Sequence, residues 1–135
     1  MHSQIPNFND LEKNLAERIQ SLFINQLGHK PKDIYCRLLD RKLTIVIENA
    51  ITKPEKLLIS AGYKEIVEKV RNSIEKILQP QFKQIIEEVT TDKISNILFA
   101  THLDTNYVSV IALFAEKYAL NSTEKGQVSG DSVSN

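Results

Sequence analysis

Three kinds of side chain in this 135-residue chain could do chemistry. His102-Leu103-Asp104 has the H-x-D spacing that sets an imidazole and a carboxylate on one metal in facial-triad iron sites. Such a site needs a second, distant histidine, and the sequence offers only His2, near its start, and His29. His and Asp are also ordinary turn residues, so 102–104 is read as a turn and no metal ligand is assigned. The single cysteine, Cys36, alternates with Ile34 and Leu38. That places it on a buried strand face, where a free thiol behaves as a small hydrophobe. A cysteine nucleophile would need a histidine beside it and a lowered pKa, and no catalytic residue is assigned. One cysteine also excludes a disulfide framework and a thiolate zinc site. The expectation is a protein that is not an enzyme and carries no cofactor.

The third kind is a group of cations. The chain as a whole balances, with 17 basic and 17 acidic residues, which argues against strong non-specific nucleic-acid binding. The balance is uneven along the chain. Residues 30–56 hold seven cations against four carboxylates, a local charge of +3. Lys30, Lys32, Arg37, Arg41, Lys42 and Lys53 are the candidate contacts to an anion or an acidic partner, aided by a helix N-terminus near Lys53. The competing reading is a solvated hairpin whose lysines discourage edge pairing. A base-stacking sheet would need exposed aromatics. Tyr35, Phe99, Tyr107 and Phe114 lie on strands, but without the aromatic-glycine cluster of such surfaces.

These residues must be positioned by ordinary elements. Leu11, Leu15, Ile19, Leu22, Phe23 and Leu27 recur at helical spacing. Asn9 with Glu12 resembles a capping box, and Gly28 sits where a terminal glycine belongs, giving a helix over about 10–27. Two strands follow, 32–39 and 42–50, joined by the glycine-free link Asp40-Arg41. Thr52-Lys53-Pro54-Glu55 is a T-x-x-E capping box with proline in the first turn, which starts a short helix ending near Gly62. An apolar stripe then runs from Tyr63 to Val89, and Pro80 should kink or break it. The strands 93–101 and 107–115 are apolar on both faces. Ile94 is assigned to the face of Leu98 and Ala100, opposite Ile97 and Phe99.

The order α-β-β-α(α)-β-β predicts an α+β, two-layer fold. A four-stranded antiparallel sheet packs on helices, with its strands either in the order of a ferredoxin-like plait in permuted form or in a plain meander. Strands apolar on both faces must be covered on both faces. Helices can cover only one, so a protein partner, with a second copy the simplest, is expected at Ile97, Phe99, Val108, Val110 and Phe114. The domain is expected over 8–120, between a flexible start (1–7) and a disordered tail (121–135) that is poor in large apolar residues. The start has no secretory pattern and no apolar run approaches the ~20 residues of a membrane span, so a cytoplasmic protein is expected.

Several short segments together resemble one family. Leu27-Gly28-His29-Lys30-Pro31 is similar to its "GxGP" start, and Ile51-Thr52-Lys53-Pro54-Glu55-Lys56-Leu57-Leu58 to its "LTxxExxL". Ile66-Val67 with Arg71 follows "LVxxxR", and Ile85-Ile86-Glu87-Glu88-Val89-Thr90 follows "IEExTG". The chain departs from the pattern at His29-Lys30, where a second glycine is usual, and at Thr91, where the family has glycine. The turn at Asp104 is also shorter than usual. On these segments, roughly residues 8–115, the chain resembles the MpsC-like family. The resemblance implies a link to a cation-translocating, membrane-potential-generating system and to inorganic-carbon supply, and it implies no catalytic residue. The expected function is that of a non-enzymatic accessory or regulatory protein working through protein contacts, with peripheral association to a membrane transport system. The alternative is an anion- or nucleic-acid-binding module using residues 30–56.

Overall fold

The computed structural model describes residues 8–115. The expected flexible start, 1–7, and tail, 121–135, lie outside the described residues. Helix α1 (Phe8–Leu27) turns Leu15, Ile19 and Phe23, spaced four apart, inward to full burial. It stops at Gly28, which takes φ +62 and donates its N–H to the Ile24 carbonyl. Strands β1 (Asp33–Leu39) and β2 (Lys42–Glu48) form the first hairpin. Asp40 supplies the left-handed residue at its turn (φ +52), a conformation Asp tolerates better than most residues.

Helix α2 (Lys53–Ser60) carries the expected reciprocal capping box between Thr52 and Glu55. Helix α3 (Lys64–Thr90) runs 27 residues without interruption through Pro80. The expected break is absent. Proline removes one backbone donor, but Leu78 on one side and Phe82, Ile85 and Ile86 on the other are buried in the same core. Packing across the site outweighs the cost of about 3 kcal/mol that an interior proline imposes. The helix ends at Thr91, in the left-handed conformation (φ +61) that the family's glycine would adopt freely.

Strands β3 (Ile94–His102) and β4 (Tyr107–Phe114) complete one antiparallel sheet in the order β1-β2-β4-β3. Because β2 and β3 both pair antiparallel with β4, they run parallel to each other with β4 between them. That is the split β-α-β unit of the ferredoxin-like plait, and of the two orders expected it is the permuted plait. One register detail corrects the sequence reading. A bulge between Ile94 and Asn96 inserts an extra residue. Ile94 is therefore buried with Ile97, on the side opposite Leu98 and Ala100.

All three helices lie on one side of the sheet. Beneath them Leu43, Ile45 and Ile47 of β2 meet Val108, Val110, Ala112 and Phe114 of β4 and the buried faces of α1 and α3. Phe82 is the hinge of this core, edge-on to Phe23 at 6.5 Å and to Phe99 at 4.9 Å. Among the described residues, no helix lies on the other side. The register sets its residues in four rows across the sheet: Asp33–Glu48–Tyr107–His102, Tyr35–Val46–Ser109–Ala100, Arg37–Thr44–Ile111–Leu98 and Leu39–Lys42–Leu113–Asn96.

Side chains from the helices take up part of each sheet edge. On β1, the Leu38 N–H donates to Glu12 of α1 at 2.9 Å. On β3, Gln79 donates to the Ile97 carbonyl at 2.9 Å, and the Ile94 N–H donates to Glu87 at 2.8 Å. Occupied edge groups offer little to an incoming strand.

Candidate functional site

The most elaborate polar arrangement joins two segments that look independent in the sequence. Arg71, on the inner face of α3, donates from Nε to Glu55 Oε2 at 2.6 Å and from Nη2 to Glu55 Oε1 at 2.9 Å. The same Nη2 donates to the Ala50 carbonyl at 2.6 Å. Arg71 is 2% and Glu55 6% exposed. Glu55 also accepts from the Thr52 N–H and hydroxyl, at 2.9 and 2.7 Å. Burial alone would raise the Glu55 carboxyl, but the hydrogen bonds from Arg71 and Thr52 and the Arg71 charge outweigh it and hold the group below its ordinary value. The bidentate fork locks the end of β2, the start of α2 and α3 together. T-x-x-E and the arginine are both visible in the sequence; their pairing across sixteen residues is not. With both Glu55 oxygens and the Arg71 Nε and Nη2 donors so engaged, the pair acts as a brace.

A second node ties the chain ends of the hairpins. The Asn106 amide donates to Asn49 Oδ1 and its oxygen accepts from the Ile51 N–H, both at 2.9 Å. His29 Nε2 sits 2.6 Å from the Asn49 carbonyl. Asn49 and Asn106 are both left-handed (φ +57 and +59), so each serves as a turn residue and as a tie.

The residues singled out for chemistry take up structural partners. His102 lies on the open side of the sheet, stacked on Tyr107 at 4.3 Å, with Nε2 3.2 Å from Ser109 Oγ. Asp104, in the β3–β4 turn, pairs with Lys64 at 3.1 Å. Both border an open cleft of about 600 Å³ between the first half of α3 and the end of β3, where Thr101 also hydrogen-bonds Glu75. Among the described residues, no three His, Cys, Asp or Glu side chains come together as a metal site. Cys36 faces the core as expected; burial, and then the Glu12 charge, push its thiol up to about 12. A thiol held there is not a nucleophile at neutral pH.

The six candidate cations are exposed but do not converge. Lys30, Lys32 and Lys53 lie at the Glu48 end of the first hairpin; Arg37, Arg41 and Lys42 lie toward its turn. A seven-residue strand separates the groups by ~20 Å. The sequence reading joined them because they are close in the chain.

The five candidate interface residues are corrected outright. Val108, Val110 and Phe114 are core residues beneath the helices, as is Ile97, and Phe99 packs on Phe82. Both faces of β3 and β4 are apolar, and the sequence reading chose the face that the helices take. Apart from Ile24 of α1, the exposed large apolar residues among those described lie elsewhere, on two surfaces. One is the open sheet face, with Leu98 (54% exposed), Ile111, Leu113, Tyr35 and Leu39. The other is on the helices: Leu57 of α2 (70%), then Tyr63, and Ile66, Val70 and Ile77 (60%) along one flank of α3.

That flank can be placed against α1. Helix α1 lies against the second half of α3, with Phe23 on Phe82 and Arg18 on Glu88 at 2.7 Å. Val70 and Glu88 are about five helical turns apart and so share a face. The bare apolar flank therefore lies in line with Glu88, at the margin of the α1 contact, and about 120° around the helix from Phe82.

A family model described as "Na+-translocating membrane potential-generating system (MpsC)" matches residues 8–116, all of the described fold. No curated protein and no solved structure matches the chain. No helix among the described residues is long and apolar enough to cross a membrane. On the family match, which spans most of its length, this chain belongs to the MpsC family of the Na+-translocating membrane potential-generating system.

Proposed function

We propose that the protein is a non-enzymatic, cytoplasmic accessory component of a membrane system that moves cations and sustains membrane potential, and that it acts by protein–protein contact. The family membership supplies the context. The observation that carries the mode of action is the bare flank of α3, where Ile66, Val70 and Ile77 stand exposed beyond the reach of α1. A helix face that is apolar and uncovered is a docking surface for another amphipathic helix, read as i, i+4 and i+11 anchors. The polar clusters described above are occupied in bracing the fold, which supports a contact role over catalysis.

The test is a double substitution, Ile66→Glu with Ile77→Glu, made in the native cell. Both sites are exposed, so the fold and protein level should be retained, as checked by circular dichroism and immunoblot. Membrane potential, followed with a voltage-sensitive dye at low and high sodium, should then match that of a strain lacking the protein. A potential equal to that of the unmodified strain would overturn the proposal.

A further inference from the structure

We propose that the open face of the sheet binds the same face of a second copy, through a two-fold axis that crosses the strands. Glu12, Gln79 and Glu87 already take one edge group on β1 and two on β3, and the flat side is the larger surface left to pair. The register decides which partner fits. A two-fold axis lying across the strands keeps each strand over its own copy and reverses the order of the four rows. The first row then meets the fourth, and the second meets the third.

Most of the resulting oppositions are complementary. In β2, Glu48 falls over Lys42 of the other copy, twice by symmetry. In β1, the exposed ring of Tyr35 falls over the Arg37 guanidinium, a cation–π pairing. In β4 and β3, Ser109 faces Ile111 and Ala100 faces Leu98, so small residues receive large ones. The exception is Asp33 over Leu39, at the outer corner of β1. The other in-plane axis, along the strands, does worse. It would bury Lys42 against Leu113 and Arg37 against Leu98, leaving charges unpaired. Four strands at ~4.8 Å and seven residues at ~3.4 Å make a face of roughly 19 by 24 Å. Two such faces lie near the lower size limit of specific interfaces, which fits a reversible dimer at micromolar concentration.

The proposal concerns a different surface from the α3 flank and stands or falls separately. Sedimentation velocity on the full 135-residue chain, from about 1 to 100 µM, should show a monomer–dimer equilibrium. Lys42→Glu alone and Glu48→Lys alone place like charges opposite each other and should each weaken the dimer by at least about tenfold. The double variant K42E/E48K should restore it, and an equimolar mixture of the two single variants should form a mixed dimer. A wild-type chain that stays monomeric at 100 µM overturns the proposal. So does a dimer whose strength neither substitution changes, or one the double variant fails to restore. Loss of the dimer with an unchanged membrane potential would leave the α3-flank reading standing.

Discussion

The two faces of this sheet are made from alternate residues of the same four strands, yet one is sealed and the other is open. On the sealed face all four strands contribute aliphatic or aromatic side chains, and burial is complete at Leu43, Ile45, Ile47 and Val110. On the open face the two kinds mix. Asp33, Arg37, Lys42 and Glu48 share it with Tyr35, Leu39, Leu98, Ile111 and Leu113. An antiparallel sheet with one wet face normally reads as a clean alternation of apolar and polar residues. This sheet departs from that rule on every strand except β2. The departure marks where something other than water is expected to lie.

Substitutions should separate the two faces, and the largest effect should come from the brace that holds the cover over the sealed face. Arg71→Met leaves a carboxylate buried without its partner and should cost about 3–5 kcal/mol in urea unfolding. Replacing Glu55 by Met as well removes the orphaned charge and should recover most of that loss. If the double variant is no more stable than the single one, the pair is not the brace described.

Neighbouring residues on β4 give the most direct contrast. Val110→Thr puts a hydroxyl into the sealed core and should destabilise by about 1–3 kcal/mol. Ile111→Thr, one residue on and facing outward, should stay within about 0.5 kcal/mol in the same assay. Equal costs would mean that the two faces are equally covered in the monomer.

A gain of about 1 kcal/mol is expected for Thr91→Gly, because a β-branched residue is strained at φ +61. A thermal melt that does not rise would show that the strain is relieved locally. Acid stability should follow Glu55. Its folded pKa is depressed, so its contribution is present above the unfolded carboxylate value, ~4.3, and is lost as pH falls through the lower folded value. With this arginine removed, as in Arg71→Met, the acid limb should vanish from a pH series of unfolding midpoints. The smallest effect belongs to the exposed Arg18–Glu88 pair. Arg18→Ala should change stability by less than about 1 kcal/mol and lose even that at high salt.

Elements governed by local rules were legible in advance. The capping box at Thr52–Glu55, the terminal Gly28 and the strand alternation of Leu43, Ile45 and Ile47 each depend on residues a few positions apart. The element order then left the permuted plait and a plain meander, and the pairing of β4 with both β2 and β3 decides for the plait. What could not be read depends on contacts distant in the chain or on one inserted residue. Glu55 and Arg71 reveal their pairing only when α2 and α3 are docked. The bulge before Asn96 shifts Ile94 to the other face without any glycine or proline to announce it. Which face of β3 and β4 the helices choose is set by the direction in which the chain leaves the sheet, and apolar content alone, similar on both faces, does not encode it.

The proline within α3 has a consequence for motion. At position 80 there is no amide hydrogen, so the helix has a missing rung between two stretches held by different means. The stretch before it is tied through Arg71 to α2 and the end of β2, and the stretch after it is clamped by α1. Two segments with separate anchors and a weak join between them can open independently. Amide hydrogens of residues 64–78 should therefore exchange with solvent as one unit, ahead of 82–90, giving the bare flank a range of poses while the Phe23–Phe82–Phe99 stack stays fixed. A partner that settles on the flank would slow the first unit and leave the second unchanged.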